Sequence, residues 1–347
     1  MHSMSLTRGP RTEYGVRVAG ILAVATALVA VLALPTASLG SDPVATFSIV
    51  GYDPETGDLG VAVQSKFFAV GAVVPWARAG IGAIASQAYG NTTFGPRGLD
   101  LLAQGVPPAE VIERLLADDP DRAQRQIGVV NAAGVSAGYT GDKCMAWAGH
   151  ASGVSFSAQG NILVSEETVK AMVTAFQETT GLLGERLMRA IEAGQAAGGD
   201  SRGMQSAAIL VVREKGGYGG YNDRYCDLRV DDHPAPIAEL RRIFDMWKGQ
   251  ALINEGYRLC DEGAWDRAFE RGREAIAMDP DEGEPHYHLA CYFSKAGRRD
   301  EALAELGIAV SMDPTLAPRA TEDPDFEPLR SDAGFIAIVG GPGGTAE

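Results

Sequence analysis

The sequence lacks the signatures that would assign a cofactor. Its 347 residues include only four cysteines and five histidines. No CxxC pair occurs and no histidine stands at ligand spacing to a cysteine, so spacing predicts no zinc site. A phosphate-binding loop and a dinucleotide glycine fingerprint are both missing, and no cofactor is expected. Basic residues are also scarce, with 30 Lys and Arg against 45 Asp and Glu and a net charge of −15. A nucleic acid backbone needs a basic surface, which argues against nucleic acid as a partner. The acidity is uneven: residues 248–347 hold 10 Lys and Arg against 20 Asp and Glu, two thirds of the net charge. With 46% apolar and 22% charged residues the rest is ordinary globular composition, long enough for two domains. In an exported chain, Cys144 could pair with Cys226 and Cys260 with Cys291; buried free thiols are the alternative.

Export is suggested by the leader. Arg8, Arg11 and Arg17 stand against one acid, Glu13, and Val18 to Leu34 then runs without a charge. This is the layout of a signal peptide over residues 1–40, with Ser38 and Gly40 as the small residues before cleavage and Ser41 as the mature end. An uncleaved membrane anchor is the rival, since the run is at the short edge of a membrane span. The expected location is periplasmic or extracellular.

The chain is organised around Thr46 to Gln87. Thr46 to Tyr52 alternates and is rich in β-branched and aromatic residues, Asp53 to Asp58 carries turn chemistry, and Leu59 to Val63 resumes a strand, which predicts a hairpin. Apolar runs at Val70 to Ala77 and Gly80 to Ala85 predict two more strands before any helix. Small residues such as Gly60 and Ala62 fit a close approach by a second layer or a ligand. Leu99 to Ala117 reads as two helices split at Gly105-Val106-Pro107-Pro108, with the prolines in the first turn of the second. Arg125 to Tyr139 reads as another hairpin, Ser165 as the cap of a helix reaching Glu178, and Leu182 to Ala193 as the next helix. Gln205 to Arg213 and Asp227 to Val230 are strands, and Pro236 to Lys248 is helical. This order supports an α+β class. The tail repeats: Gly263, Ala268, Ala275 and Pro280 recur 34 residues later as Gly297, Ala302, Ala309 and Pro314. That is the tetratricopeptide spacing, predicting two repeats over 248–316, capped by a segment from Ala317 to Ile338 and ending in a disordered glycine-rich stretch, all within 317–347.

Several separated stretches, TFSIVGYDPETGDLGVAVQSK, AVGAVVPWARAG, GNTTFGPRGLDLL, CMAWAGH, FSAQGN and GGDSRGMQSAA, resemble the family known as domain of unknown function 1028. The resemblance runs from about Thr46 to about Trp247. The opening Thr, tight turn and returning GVAVQSK also look like the start of an N-terminal-nucleophile hydrolase. The resemblance implies a four-layer αββα sandwich over 46–247, followed by the small all-α repeat domain; the reaction of the family is unsettled.

Hydrolases of that superfamily attack with the first side chain of a mature chain and use its own α-amine as base. The resemblance makes Thr46 the candidate nucleophile; a strand threonine paired across a sheet is the alternative. Five residues, Ser41 to Ala45, separate it from the expected leader cleavage, so a second processing step would be needed. Ser48 faces the same side two residues on, as a helper. Ser65 and Lys66 follow the second strand, and Lys66 would lower the nucleophile's pKa, or else be an edge-strand lysine with a solvated head. Its offset from Thr46 is shorter than the proteasome pattern. Ser86, Gln87 and Asn91, and from the other half of the chain Gln159 and Asn161, supply hydroxyl and amide donors for an oxyanion, though Asn and Gln at turns also serve as turn formers. Asp200 and Arg202 either clamp a substrate's amino and carboxyl groups or form a local salt bridge. The spacing of Cys144 and His150 gives no support for a nucleophile pair. Asp231, Asp232 and His233 read as a helix cap or a weak cation cluster.

Two functions follow. The first is an exported hydrolase acting on a small amide-containing or peptide substrate through Thr46. The second is a non-catalytic protein of the same fold that binds a small molecule or a cell-envelope component. In either, the repeats offer a protein-contact surface, and self-association stays open.

Overall fold

The computed structural model describes residues 46–340. The chain divides into Met1–Asp42 and Pro43–Glu347, and everything below belongs to the second unit. The expectations on the leader, the Ser41 end and the glycine-rich stretch beyond residue 340 lie outside the described residues. Among the described residues, no helix is long and apolar enough to cross a membrane.

Among the described residues, ten strands form two antiparallel sheets. The strands are β1 (Thr46–Tyr52), β2 (Leu59–Ser65), β3 (Pro75–Arg78), β4 (Gly82–Ala88), β5 (Arg125–Asn131), β6 (Ser136–Thr140), β7 (Gly149–Gly153), β8 (Phe156–Asn161), β9 (Ser206–Val212) and β10 (Arg224–Val230). The larger sheet has the order β10-β9-β2-β1-β8-β7 and the smaller β3-β4-β5-β6. The helices are α1 (Phe94–Ala103), α2 (Pro108–Ala117), α3 (Glu167–Glu178), α4 (Leu183–Ala196) and α5 (Pro236–Asp261), followed by α6 (Trp265–Met278), α7 (Gly283–Lys295), α8 (Arg299–Met312), α9 (Leu316–Glu322) and α10 (Ala333–Val339).

Alternation along the strands sends side chains to two different cores. Val50, Val61, Val63 and Leu210 of the larger sheet meet Ala83, Ala85 and Val130 of the smaller in one buried cluster, which is the space between the sheets. Phe47, Ile49, Ala62 and Ile209 point the other way and pack on Met172, Phe176, Leu183 and Leu187 of α3 and α4. Ile84, Ile127 and Val129 likewise pack on Phe94, Leu99, Val111 and Leu115 of α1 and α2. Helix α4 comes so close to β2 that a Cβ on Gly60 would stand 2.8 Å from both Leu187 Cδ1 and Leu210 O. This is the close approach expected of the small residues.

The β1–β2 hairpin turns through Gly57, whose φ of 76° is the left-handed region that glycine enters without strain. Asp58 at its end is buried and receives a bidentate pair from Arg213, Nε to Oδ1 at 2.6 Å and Nη2 to Oδ2 at 2.8 Å. Arg213 Nη1 continues to Glu255 Oε2 at 3.0 Å on α5, and its guanidinium lies 4.0 Å over the Tyr225 ring. One arginine thus ties the hairpin, β9 and α5 together.

Three sequence expectations change. The run from Val70 is not one strand: Val70–Ala72 is a 3-10 turn and β3 begins only at Pro75. Strand β7, built from GHASG, had no apolar or β-branched signal to announce it. The expected domain boundary at 247/248 falls inside α5, a continuous helix of 26 residues that begins on the larger sheet and ends in the tail. The tail itself is helical as expected. Gly263 and Gly297, both left-handed, end α5 and α7, and α6 and α8 follow in the same 34-residue register. Ala268, Ala275, Ala302 and Ala309 are buried at the helix contacts, and a Cβ on Gly256 would meet the Tyr292 ring at 2.5 Å. Phe326, Leu329 and Phe335, from the segment after α8, close that core. All four cysteines are free thiols. Cys226 is buried under the helices of the larger sheet, whereas Cys144 donates to Arg125 O on the smaller one; Cys260 and Cys291 lie unbridged in the tail core.

Candidate functional site

The alternation that sorts the cores also places the candidate residues. On β1, Thr46 and Ser48 lie on the same face as Val50, so their side chains enter the space between the sheets. Thr46 pairs in register with Ser65 on β2 and with Asn161 on β8, and Ser65 pairs with Ser206 on β9. One polar row, Ser206-Ser65-Thr46-Asn161, therefore crosses four strands at one end of the sheet. Thr46 is fully buried and its Oγ1 donates to Ser65 Oγ at 3.2 Å.

The next row inward is Ser48 and Gln159, opposite each other on β1 and β8. Ser48 Oγ donates to Gln87 Oε1 at 2.6 Å and accepts from Gln159 Nε2 at 2.7 Å. Gln87 Nε2 donates to Thr46 O at 3.2 Å and to Gln126 Oε1 at 2.8 Å, and Asn161 Nδ2 donates to that same Gln126 oxygen at 3.0 Å. Gln126 Nε2 reaches Gly160 O at 2.8 Å and Thr140 Oγ1 at 2.9 Å. Ser48, Gln87, Gln126, Gln159 and Asn161 are all buried, and their hydrogen bonds join the two sheets where an apolar contact would otherwise stand. Buried amides left unbonded are costly, so a closed network of this kind fixes its members in one arrangement.

This closure separates the predicted donors. Both hydrogens of Gln87 Nε2 are taken, by Thr46 O and Gln126 Oε1, and both of Gln159 Nε2 by Ser48 O and Oγ. Asn161 Nδ2 makes a single hydrogen bond among the described residues, to Gln126, and so keeps one hydrogen beside Thr46. Ser48 is a member of the network, not a helper at an open mouth.

Five other expectations are corrected by geometry. Ser86 shares the face of Ile84, toward α1 and α2, and its Oγ donates to Asn91 O, so it does not enter the space where Gln87 lies. Asn91 Oδ1 accepts from Thr93 N at 3.0 Å and Thr93 Oγ1 at 2.7 Å, the turn-forming role, ahead of α1. Lys66 is exposed and its Nζ donates to Met204 O at 3.1 Å; it is Ser65, not Lys66, that meets the Thr46 hydroxyl. Asp200 and Arg202 form the local salt bridge, with Arg202 Nη2 3.0 Å from Asp200 Oδ2. Asp200 also accepts from Lys66 N at 3.0 Å, which pins the 200–204 loop to the end of β2 next to Ser65. Asp232 accepts from Gln205 Nε2 and the ring of His233 from Ala235 N, so neither acid caps α5.

His150 lies across from Gln159 on β7 and its Nδ1 is 2.9 Å from Thr140 Oγ1, while Cys144 bonds to Arg125 O; the two do not pair. Sequence reasoning missed Gln126, the hub of the network, along with Thr140 and Ser157. The only signal was a glutamine standing beside the apolar run Ile127 to Val130.

The network makes a prediction about stability. A Cβ on Gly128 of β5 would stand 2.1 Å from Gln159 Oε1. Gly128→Ala is expected to cost about 1–3 kcal/mol in urea unfolding, because Gln159 cannot move without breaking its bonds to Ser48. A neutral substitution would mean that Gln159 is free to swing.

The architecture defines a mixed α/β protein with two antiparallel sheets, a polar row at the start of β1 and a helical C-terminal region. Residues 46–240 match the family described as a family of unknown function, DUF1028, and the chain belongs to that family. A solved structure of the same family, protein SPO2555 from Silicibacter pomeroyi, is 31% identical with a TM-score of 0.53, over 58% of this chain and 88% of that one. No curated protein matches.

Proposed function

We propose that the chain is the precursor of an exported amide hydrolase of the N-terminal-nucleophile type, with an αββα front part and Thr46 as its nucleophile. The observation that carries this reading is the placement of Thr46. It is the first residue of the family match and of central strand β1, and its hydroxyl is turned between the sheets and held by Ser65. While the chain continues before Thr46, its nitrogen is an amide and accepts no proton. Cleavage between Ala45 and Thr46 would give an α-amine with a pKa of about 8, suited to taking the hydroxyl proton near neutrality. Oγ1 would attack the substrate carbonyl as the α-amine takes its proton, and the uncommitted Nδ2 hydrogen of Asn161 would meet the oxyanion; collapse would break the C–N bond with that proton passing from the α-ammonium to the leaving amine, and water would then hydrolyse the Thr46 ester to release the acid. The 34-residue register of the tail supports tetratricopeptide-like repeats that contact another protein.

A second reading, a non-catalytic binding protein of the same fold, is favoured by the closed Ser48–Gln87–Gln126–Gln159 network, which leaves few donors for chemistry. The two part on one variant. Amide hydrolysis by the processed protein that disappears in Thr46→Ala supports the enzyme; a Thr46→Ala protein with unchanged function supports the binder.

A further inference from the structure

A cleft lies where the front part meets the tail, lined by none of the Thr46 network. It is a cavity of about 430 Å³ between the β1–β2 turn, the loop joining α3 to α4, and helix α6. Its walls carry three arginines, Arg186, Arg267 and Arg271, on the hairpin turn two acids, Asp53 and Glu55, and on α5 a third, Glu255, already paired with Arg213 and Arg258. Charges facing a shared cavity usually pair with each other, and these largely do not. Arg186 stacks 4.2 Å over the Phe176 ring and donates Nε to Phe176 O at 3.4 Å; neither terminal nitrogen makes a hydrogen bond or an ion pair among the described residues. Arg267 has no ion pair or side-chain hydrogen bond among the described residues, while Arg271 pairs with Glu274 at 2.6 Å. Across the cavity, the Asp53 carboxylate accepts only from Glu55 N, at 2.9 Å on Oδ1, which leaves its second oxygen without a donor among the described residues.

We propose that this cleft binds a small zwitterion, a free amino acid or a dipeptide, with its carboxylate on Arg186 and Arg267 and its ammonium on Asp53 and Glu55. Three observations fit this ligand. The volume lies within the range of small-molecule sites, and such sites favour the junction of two structural parts. The guanidinium is a planar fork with donors to spare, and its stacking on Phe176 holds the plane fixed, which suits bidentate carboxylate binding. The acids raise the affinity of Arg186 for its proton, but burial outweighs them and holds the group below its ordinary range, as for a buried cation that still lacks an anion. The separation of acids from arginines, close enough to be felt and too far to pair, is what a ligand with both charges would bridge. The assignment does not depend on the chemistry at Thr46, and it gives the tail a role of its own, since α6 supplies Arg267 and Arg271.

Titration calorimetry of the full chain with dialanine tests it. Dialanine is expected to bind, with dialanine amide and N-acetyl-dialanine each at least about tenfold weaker, a difference of roughly 1.4 kcal/mol. Arg186→Gln should abolish binding. Since that side chain also packs on Phe176, exposed Arg267→Gln is the control for folding: it should weaken dialanine about tenfold with an unchanged Tm. Inorganic phosphate binding as well as dialanine would show a general anion site and overturn the zwitterion assignment. So would equal affinity for the amide, or no dialanine binding at millimolar concentration. None of these results bears on Thr46, whose test is hydrolysis.

Discussion

Arg213→Ala is expected to destabilise the protein by about 3–5 kcal/mol, the cost of leaving a buried carboxylate without its cation. Asp58 is 1% exposed and Arg213 supplies both of its ionic contacts. Burial is the largest single influence and would lower the Arg213 pKa, but the hydrogen bonds to Asp58 together with the fields of Tyr225, Asp58 and Glu255 outweigh it and the group is raised, so the guanidinium stays charged. Glu255 suffers less from the substitution because Arg258 also holds it, Nη2 to Oε1 at 2.6 Å. The effect should therefore be read mainly through Asp58, and the double variant Arg213→Met with Asp58→Asn should recover much of the loss, since it removes the orphaned charge. The urea midpoint is the measurement. If the single and double variants are equally unstable, the loss comes from packing on Tyr225 and not from charge.

Thr46→Ala in the processed protein is expected to lower amide hydrolysis by at least about a thousandfold, since the atom that carries the acyl group is gone while the fold is kept. Thr46→Ser retains the hydroxyl and should stay within about tenfold of the parent, losing the methyl contact but no chemistry. Asn161→Ala offers the intermediate case: removal of one oxyanion donor typically lowers kcat about 10²–10³-fold. The kinetic ordering Ala below Asn161→Ala below Ser separates a nucleophile from a strand residue that merely positions its neighbours.

Much of the scaffold could be read from residues with a single structural use. Gly57 in the hairpin, Gly105 with Pro107 and Pro108 between α1 and α2, and Gly263 with Gly297 in the tail each mark a break, because the backbone there needs a left-handed residue or lacks the amide hydrogen for the next helical hydrogen bond. The β1–β2 hairpin was accordingly legible close to its ends. The failures have equally local causes. Strand β7 pairs at the sheet edge with small polar residues whose pattern matches a loop, and α5 has no proline or cap between its two halves, so composition alone suggested a boundary that the backbone does not have.

At the candidate site the limit was different. Ser86 and Gln87 are neighbours on one strand, and a period of two sends them to opposite faces, so both could never serve one cleft; that signal was present in the sequence. The role of Gln126 was not, since its partners come from β4, β6 and β8, and only the stacking of the two sheets brings them together.

The central claim is that Thr46 becomes the first residue of the working protein. N-terminal sequencing of the protein recovered from exporting cells tests it most directly. The account predicts a chain beginning at Thr46; a stable, fully functional chain that begins at Ser41 would contradict it.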